Sequence, residues 1–196
     1  NDEAAASETI VYETAAIGAD LNVPAVRLKY ARTRADVEVR SAPGGVAIAA
    51  DEPNETTTVG DIAIAAEGEA TRVFVGAGVT LSAFRQQGGR NVLRGGATLP
   101  VVEVLGGVLV LEGGQLVTAL NVEGGRVECH NVDSGGDAVT TVNVNCGTVD
   151  FRRSTAPRAI GTLNLDEGTV LLDDAVVTVT TFDQPAGLRR VTVDRL

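Results

Sequence analysis

Two carboxylates offer the sharpest chemistry in this sequence. Glu128 and Asp150 occupy equivalent places in two similar stretches, VTALNVEGGRVEC (residues 117–129) and VTTVNVNCGTVDF (residues 139–151). If those stretches lie side by side as strands, the two acids stand about 5 Å apart, near the spacing of a retaining glycosidase pair. Such a pair needs one sheltered acid that stays protonated. Arg126 and Arg152 sit two residues away from each acid on the same strand faces, and Asp173 follows in the column of His130 and Arg152. An outward ladder of ion pairs is the competing expectation, and it requires no catalysis. His130 is the sole histidine, which excludes His-rich metal sites and leaves one base at most for a Ser-His-Asp triad. It reads as a surface turn residue. The loop NVDSGGD (residues 131–137) carries oxygen ligands among glycines but fits neither the EF-hand spacing nor the GGxGxD calcium repeat. Asn54-Glu55-Thr56 is a glycosylation sequon, relevant only to a chain secreted by a eukaryote. No P-loop, GxGxxG or HExxH motif occurs, and no cofactor or metal is expected.

The elements that must position these residues repeat. IGTLNLDEGTVLL (residues 160–172) follows the same template: apolar, two small residues, apolar, Asn, apolar, polar, a Gly-containing pair, then an apolar-polar-apolar run. LPVVEVLGGVLVL (residues 99–111) fits with Glu103 in the Asn slot. A unit of this length cannot bury its own apolar face, so it must stack on a neighbour, and the chain reads as a solenoid. The first apolar slot recurs at Leu81, Leu99, Val117, Val139, Ile160 and Leu188, giving intervals of 18, 18, 22, 21 and 28 residues. The added length falls at residues 132–138, 153–158 and 173–186, as if insertions were confined to one corner.

Alternation of apolar and polar side chains identifies strands. A helix would have to place Gly in every unit at about 1 kcal/mol each. The expected fold is therefore all-β, a right-handed parallel β-solenoid (β-helix) with coils of about 18–28 residues; the handedness follows the bias of parallel crossovers. Its repeat core comprises Val117, Leu120, Val122, Val127 and Cys129; Val139, Val142, Val144, Val149 and Phe151; and Ile160, Leu163, Leu165, Val170 and Leu172. Asn121, Asn143 and Asn164 form an outward column whose amides can bond along the axis. Residues 1–58 are expected to be an N-terminal cap or attachment region with irregular first coils, and residues 59–196 the regular solenoid. Near the end of the chain, Arg189, Arg190 and Arg195 supply charge that would protect an open edge.

Composition narrows the partners. Of 196 residues, 44% are hydrophobic but only 3% aromatic, so the core must be narrow and aliphatic. The 23 glycines lack a collagen period and read as corners. A net charge of −10, from 16 basic and 26 acidic side chains, opposes nonspecific attraction to nucleic acid or anionic lipid. No apolar run approaches the roughly 20 residues needed to span a bilayer, and the first residues, NDEAAASETI, have neither the basic start nor the apolar core of a signal peptide. Cys129 falls in an inward slot and Cys146 in a turn slot, too far apart along the coil for a bridge.

The units VTALNVEGG and VTTVNVNCGTVDFRRSTAPRAIGTLNLDEGTVLLDDAVVTVTT resemble repeat proteins of tailed bacteriophages and prophages with units like VTTLNVxGGTV. The resemblance covers roughly residues 59–196 and is strongest over residues 117–181. It implies a noncatalytic virion structural protein on the particle exterior, of the capsid-decoration, head-fibre or tail-fibre kind. Its implied partners are copies of itself, a trimer by analogy with viral fibres, and other virion proteins such as capsid or tail components, with a host-surface glycan as a further candidate. In that group an aromatic-rich segment often precedes the solenoid; this sequence has no Trp. Two other classes remain open from the residues alone: a polysaccharide-binding or polysaccharide-degrading β-helix protein using Glu128 and Asp150, and a bacterial surface adhesin.

Overall fold

The computed structural model describes residues 9–13, 26–28, 36–41, 46–48, 63–66, 73–75, 83–94, 98–112, 116–130, 137–154, 157–172, 177–184 and 191–195. No helix occurs among them. Strands numbered along the chain alternate between two parallel sheets of nine strands each. The first sheet stacks β1 (Thr9–Glu13), β3 (Asp36–Ser41), β5 (Ala63–Ala66), β7 (Ala83–Gln86), β9 (Thr98–Val104), β11 (Leu116–Val122), β13 (Asp137–Val144), β15 (Arg158–Leu165) and β17 (Val177–Asp183). The second stacks β2 (Val26–Leu28), β4 (Val46–Ile48), β6 (Val73–Val75), β8 (Arg90–Arg94), β10 (Val108–Glu112), β12 (Arg126–His130), β14 (Thr148–Asp150), β16 (Gly168–Leu172) and β18 (Val191–Arg195). Each coil gives one strand to each sheet, which is a β-solenoid.

Register explains the repeat. Phe84, Val102, Leu120, Val142, Leu163 and Phe182 are successive partners in one column of the first sheet, and all but Phe182 are almost wholly buried. Leu93, Leu111 and Cys129 continue in the same way across the second sheet. The core residues expected from the template all lie in one apolar cluster between the sheets. An aliphatic core suffices because each layer need fill only the narrow space between two facing strands, and like side chains stack at the roughly 4.8 Å strand spacing. Phe182 is 48% exposed, on β17 at the end of the first sheet, beyond which no strand lies among the described residues.

The "two small residues" of the template have a structural role. Val117 and Leu120 both point inward, and the ladder passes from Val117 to Ala119 without pairing Thr118. The same step occurs at Pro100, Thr140, Gly161 and Thr180. A stacked bend of this kind tolerates Pro100 within a strand, since its missing N–H falls where the ladder pairing is interrupted.

The two kinds of corner differ in what they tolerate. At the glycine corner the backbone continues the ladder: Glu123 N–H donates to Val104 O at 2.8 Å, Arg126 N–H to Gly107 O at 2.9 Å and Thr148 N–H to Gly125 O at 3.0 Å. Gly125 has φ +72°, and a Cβ there would lie 2.6 Å from Gly107 O. Coils therefore contact each other through bare backbone at this corner. Length changes fall on the other corner, where β12 ends at His130 and β13 starts at Asp137, and where residues 151–157 join β14 to β15.

The last units depart from the sequence reading. Ile160 pairs with Val179, which places the next first apolar slot 19 residues on; Leu188 is not that slot. Residues 173–186 are thus not one insertion, because they contain β17. The error arose from VTVTTFD, which lacks the Asn and the Gly pair that marked other units. Toward the N-terminus, β1 to β4 join the same two sheets, with Ile10 paired to Val37 and Val37 to Ile64. Arg195 is the register partner of Leu172, while Arg189 and Arg190 lie outside the described residues.

Gly125→Ala should lower unfolding stability by at least about 2 kcal/mol, combining left-handed backbone strain with collision against the preceding coil. Urea unfolding followed by circular dichroism measures it, with exposed Thr118→Ala as the control, expected within about 0.5 kcal/mol of the parent.

Candidate functional surface

Glu128 and Asp150 are register partners on adjacent strands of the second sheet, as the repeat alignment places them. Strand alternation turns both outward, between inward Val127 and Cys129 on one strand and inward Val149 and Phe151 on the next. Arg126 bridges them: its Nε donates to Glu128 Oε1 at 3.0 Å and its Nη2 to Asp150 Oδ2. Arg152 donates to Asp150 through Nε at 3.0 Å, Nη2 at 2.9 Å and the backbone N–H at 3.1 Å. Arg90 Nη2 and His130 Nε2 each lie 3.5 Å from Glu128 Oε2. Arg153 Nη1 approaches His130 Nε2 at 3.4 Å.

These contacts set the protonation of both acids. Hydrogen bonding from the Arg152 side chain outweighs burial and, with the Arg152 backbone N–H and the charges of Arg152 and Arg126, holds Asp150 below the usual carboxylate range. Burial pushes Glu128 upward, but the Arg126 hydrogen bond and the charges of Arg90, Arg126 and His130 together bring it below its ordinary value. Proton donation to a leaving group needs the opposite shift in one member of the pair. Glu128 and Asp150 are brought together, then, in an arrangement suited to ion pairing. Asp150 is only 3% exposed although it points outward, because the arginine side chains lie over it.

The outward face of the first sheet carries the amide column. Asn143 Nδ2 donates to Asn121 Oδ1 and Asn164 Nδ2 donates to Asn143 Oδ1, both at 2.7 Å. In the same column Arg85 Nε meets Glu103 Oε2 at 3.1 Å, so the slot that lacks an amide holds an ion pair instead. Around the ladder the half-buried and exposed residues are Thr118, Ala119, Thr140, Thr141, Ala159 and Thr162. The described outward side chains of β11, β13 and β15 on this face carry no charge, in a chain of net charge −10.

Three buried polar residues escaped the sequence reading. Gln86 and Asn91 fill inward slots that other coils give to Val or Leu, and both are fully buried. Asn91 Nδ2 donates to Gln86 Oε1 at 3.0 Å and to Gly88 O at 3.2 Å, and Gln86 Nε2 donates to Gly106 O at 2.8 Å. They tie a glycine corner together from inside. The signal was present in AFRQQGGRNVLR, where polar residues stand in apolar slots on both sides of the Gly pair. Arg158, two residues before Ile160, is also inward and 2% exposed.

Cys129 is buried and Cys146 exposed, both as free thiols. Burial pushes the Cys129 thiol up to about 11, with the Arg158 charge working against it. His130 ends a strand and is half-buried, rather than lying in a turn. Asp173, the sequon at Asn54 and residues 131–136 of the acidic loop lie outside the described residues. Among the described residues no group of His, Cys, Asp and Glu is arranged to hold a metal, and no helix is long and apolar enough to cross a membrane.

Two outcomes follow. Asp150→Asn should cost about 2 kcal/mol at pH 7, because a charge-assisted hydrogen-bond set is weakened and two arginines lose their counter-charge. The folded pKa is lowered, so the carboxylate's contribution is complete above its ordinary value of 3.8 and is lost as pH falls through the folded value. The stability gap between parent and variant, measured by urea unfolding, should accordingly narrow below about pH 4. Asn143→Ala removes two amide hydrogen bonds on a half-exposed surface and should cost about 1 kcal/mol by the same measurement, whereas Asn145→Ala, which removes one exposed bond that Asn145 donates to Glu123, should cost less.

No protein-family model, curated protein or solved structure matches this chain, so the functional reading rests on its own residues.

Proposed function

We propose that the chain is a noncatalytic structural element of a tailed-bacteriophage or prophage virion, a β-solenoid rod exposed on the particle as a capsid decoration, head fibre or tail fibre. The observation that carries this reading is the repeat itself: VTALNVEGG, VTTVNVNCGTV and IGTLNLDEGTV resemble the units of phage repeat proteins and stack in register as successive coils. Such a body suits a rigid spacer, because it lengthens by adding coils without changing its cross-section. The two carboxylates that a depolymerase would use are instead locked between arginines, which favours scaffold over hydrolysis.

Partner contacts follow from the same surfaces. Copies carrying a net charge of −10 repel one another, so a homotrimer would form through the uncharged amide and threonine face of β11, β13 and β15. Residues 1–58, which depart most from the repeat, are the attachment region in this proposal, and the variable corner is where a host-surface glycan would be met. Nucleic acid and membrane have no part in it, given the acidic charge.

Induction of the source prophage, followed by density-gradient purification and mass spectrometry, should find the chain in DNA-filled particles at structural copy number. Antibody labelling should decorate their exterior. Recovery only from the cell envelope of uninduced cells would replace the proposal with an adhesin. Cleavage of host polysaccharide by the purified protein, abolished in Glu128→Gln or Asp150→Asn, would replace it with a depolymerase.

A further inference from the structure

Both sheets stop at the same coil boundary. β17 is the last strand of the first sheet and β18 the last of the second, while β1 and β2 stand first in those two sheets. The boundary at β17 is open on its apolar side. Phe182 is 48% exposed at the end of a column whose members Phe84, Val102, Leu120, Val142 and Leu163 are almost wholly buried, and Val179 packs against the core yet stays half-buried. Among the described residues no strand lies beyond them. An edge strand with uncovered apolar positions is a template for one more strand, and β17, VTVTTFD, has neither the lysine nor the proline that blunts such an edge.

The register indicates which strand fits. Ile10 of β1 begins the column that ends at Phe182, and Val11 begins the one that ends at Asp183. In the second sheet, Arg27 of β2 begins the column that passes through Val92 and Glu128 and ends at Asp194. A second copy set one ladder step, about 4.8 Å, beyond β17 and β18 thus brings apolar Ile10 into line with Phe182, neutral Val11 with Asp183 and basic Arg27 with Asp194. Both sheets continue at once. We infer that a second copy of the chain docks head to tail, with β1 and β2 of one copy extending the ladders that end in β17 and β18 of the other. The interface is heterologous, so every assembly keeps a free end and the series stays open. It needs only the solenoid body, not the virion setting, and it leaves the amide and threonine face unused. Net charge −10 opposes the approach of two copies. At about 0.15 M salt the Debye length is about 8 Å, which damps repulsion between the acidic bodies while a pair one ladder step apart still acts.

Sedimentation velocity of the full chain at about 0.15 M salt tests the stacking. The expected result is a weight-average mass that keeps rising with concentration. A monomer at every concentration, or a species of one fixed size, would overturn the inference. Phe182→Lys sets a charge on an exposed edge position, should keep the parental circular dichroism, and should weaken association at least about tenfold. Arg27→Asp and Asp194→Arg each bring like charges into one column and should weaken it about threefold, while both in one chain should restore the parental value within about twofold. Failure of the paired exchange to restore it would overturn the register. Association that survives Phe182→Lys belongs to a lateral face such as that of β11, β13 and β15, and would overturn the stacking while leaving the virion reading in place. Association lost in Phe182→Lys but indifferent to Arg27→Asp would mean that β17 meets another β17, tail to tail, and would overturn it equally.

Discussion

The structure depends on one constraint: the strand backbone of a coil finds its ladder partners in the coil before or after it. No coil has a core or a ladder of its own, so neighbours must agree in register at every step. The glycine corner shows how strict this is. There the chain turns from one sheet to the other while still donating to the preceding coil, as Glu123, Arg126 and Thr148 do. Backbone meets backbone so closely that a side chain at Gly125 would collide with Gly107. That corner keeps its length, and variation is displaced to the opposite one, where the ladder is interrupted.

The same rule orders the surface. Stacking repeats whatever a slot contains, so an outward Asn becomes an amide ladder and an outward carboxylate meets another carboxylate one step away. Like charges at that distance repel, and the sequence compensates by placing Arg126 and Arg152 in flanking slots. The pairing that resembles a hydrolytic site in one dimension is thereby an electrostatic repair in three. Asp150 is covered by the arginines that neutralise it and held ionised by them. The first sheet took the other solution: the described outward side chains of β11, β13 and β15 carry no charge. A chain this acidic thus has one face on which copies would not repel one another, and that asymmetry underlies the proposed assembly.

Where the slots hold typical residues, the fold was readable from the sequence. From Val117 to Leu172 the inward set, the Asn column and the register of Glu128 on Asp150 all follow from aligning the units, because period-2 alternation and a fixed corner leave little freedom. Reading failed where a slot broke type for a local reason. VTVTTFD has the strand pattern of its coil but not the Asn or the glycines, so the template points to Leu188 where Val179 fills the slot. Gln86 and Asn91 are buried because they satisfy each other and Gly106, a compensation that no single position reveals. Arg158 stands inward two residues before the first apolar slot of its unit, a position outside the template.

In-register stacking of one strand per coil is the claim on which the rest stands, and pulsed electron-spin distance measurement tests it most directly. Glu38, Glu103 and Asp183 belong to one register column, with β3 seven ladder steps and β9 four steps from β17. Nitroxide pairs in a background of Cys129→Val and Cys146→Ser, diluted with unlabelled protein, should show backbone separations near 19 Å for positions 103 and 183 and near 34 Å for positions 38 and 183, at about 4.8 Å per step. Distances that fail to grow in proportion to the number of coils would contradict the solenoid and the register built on it.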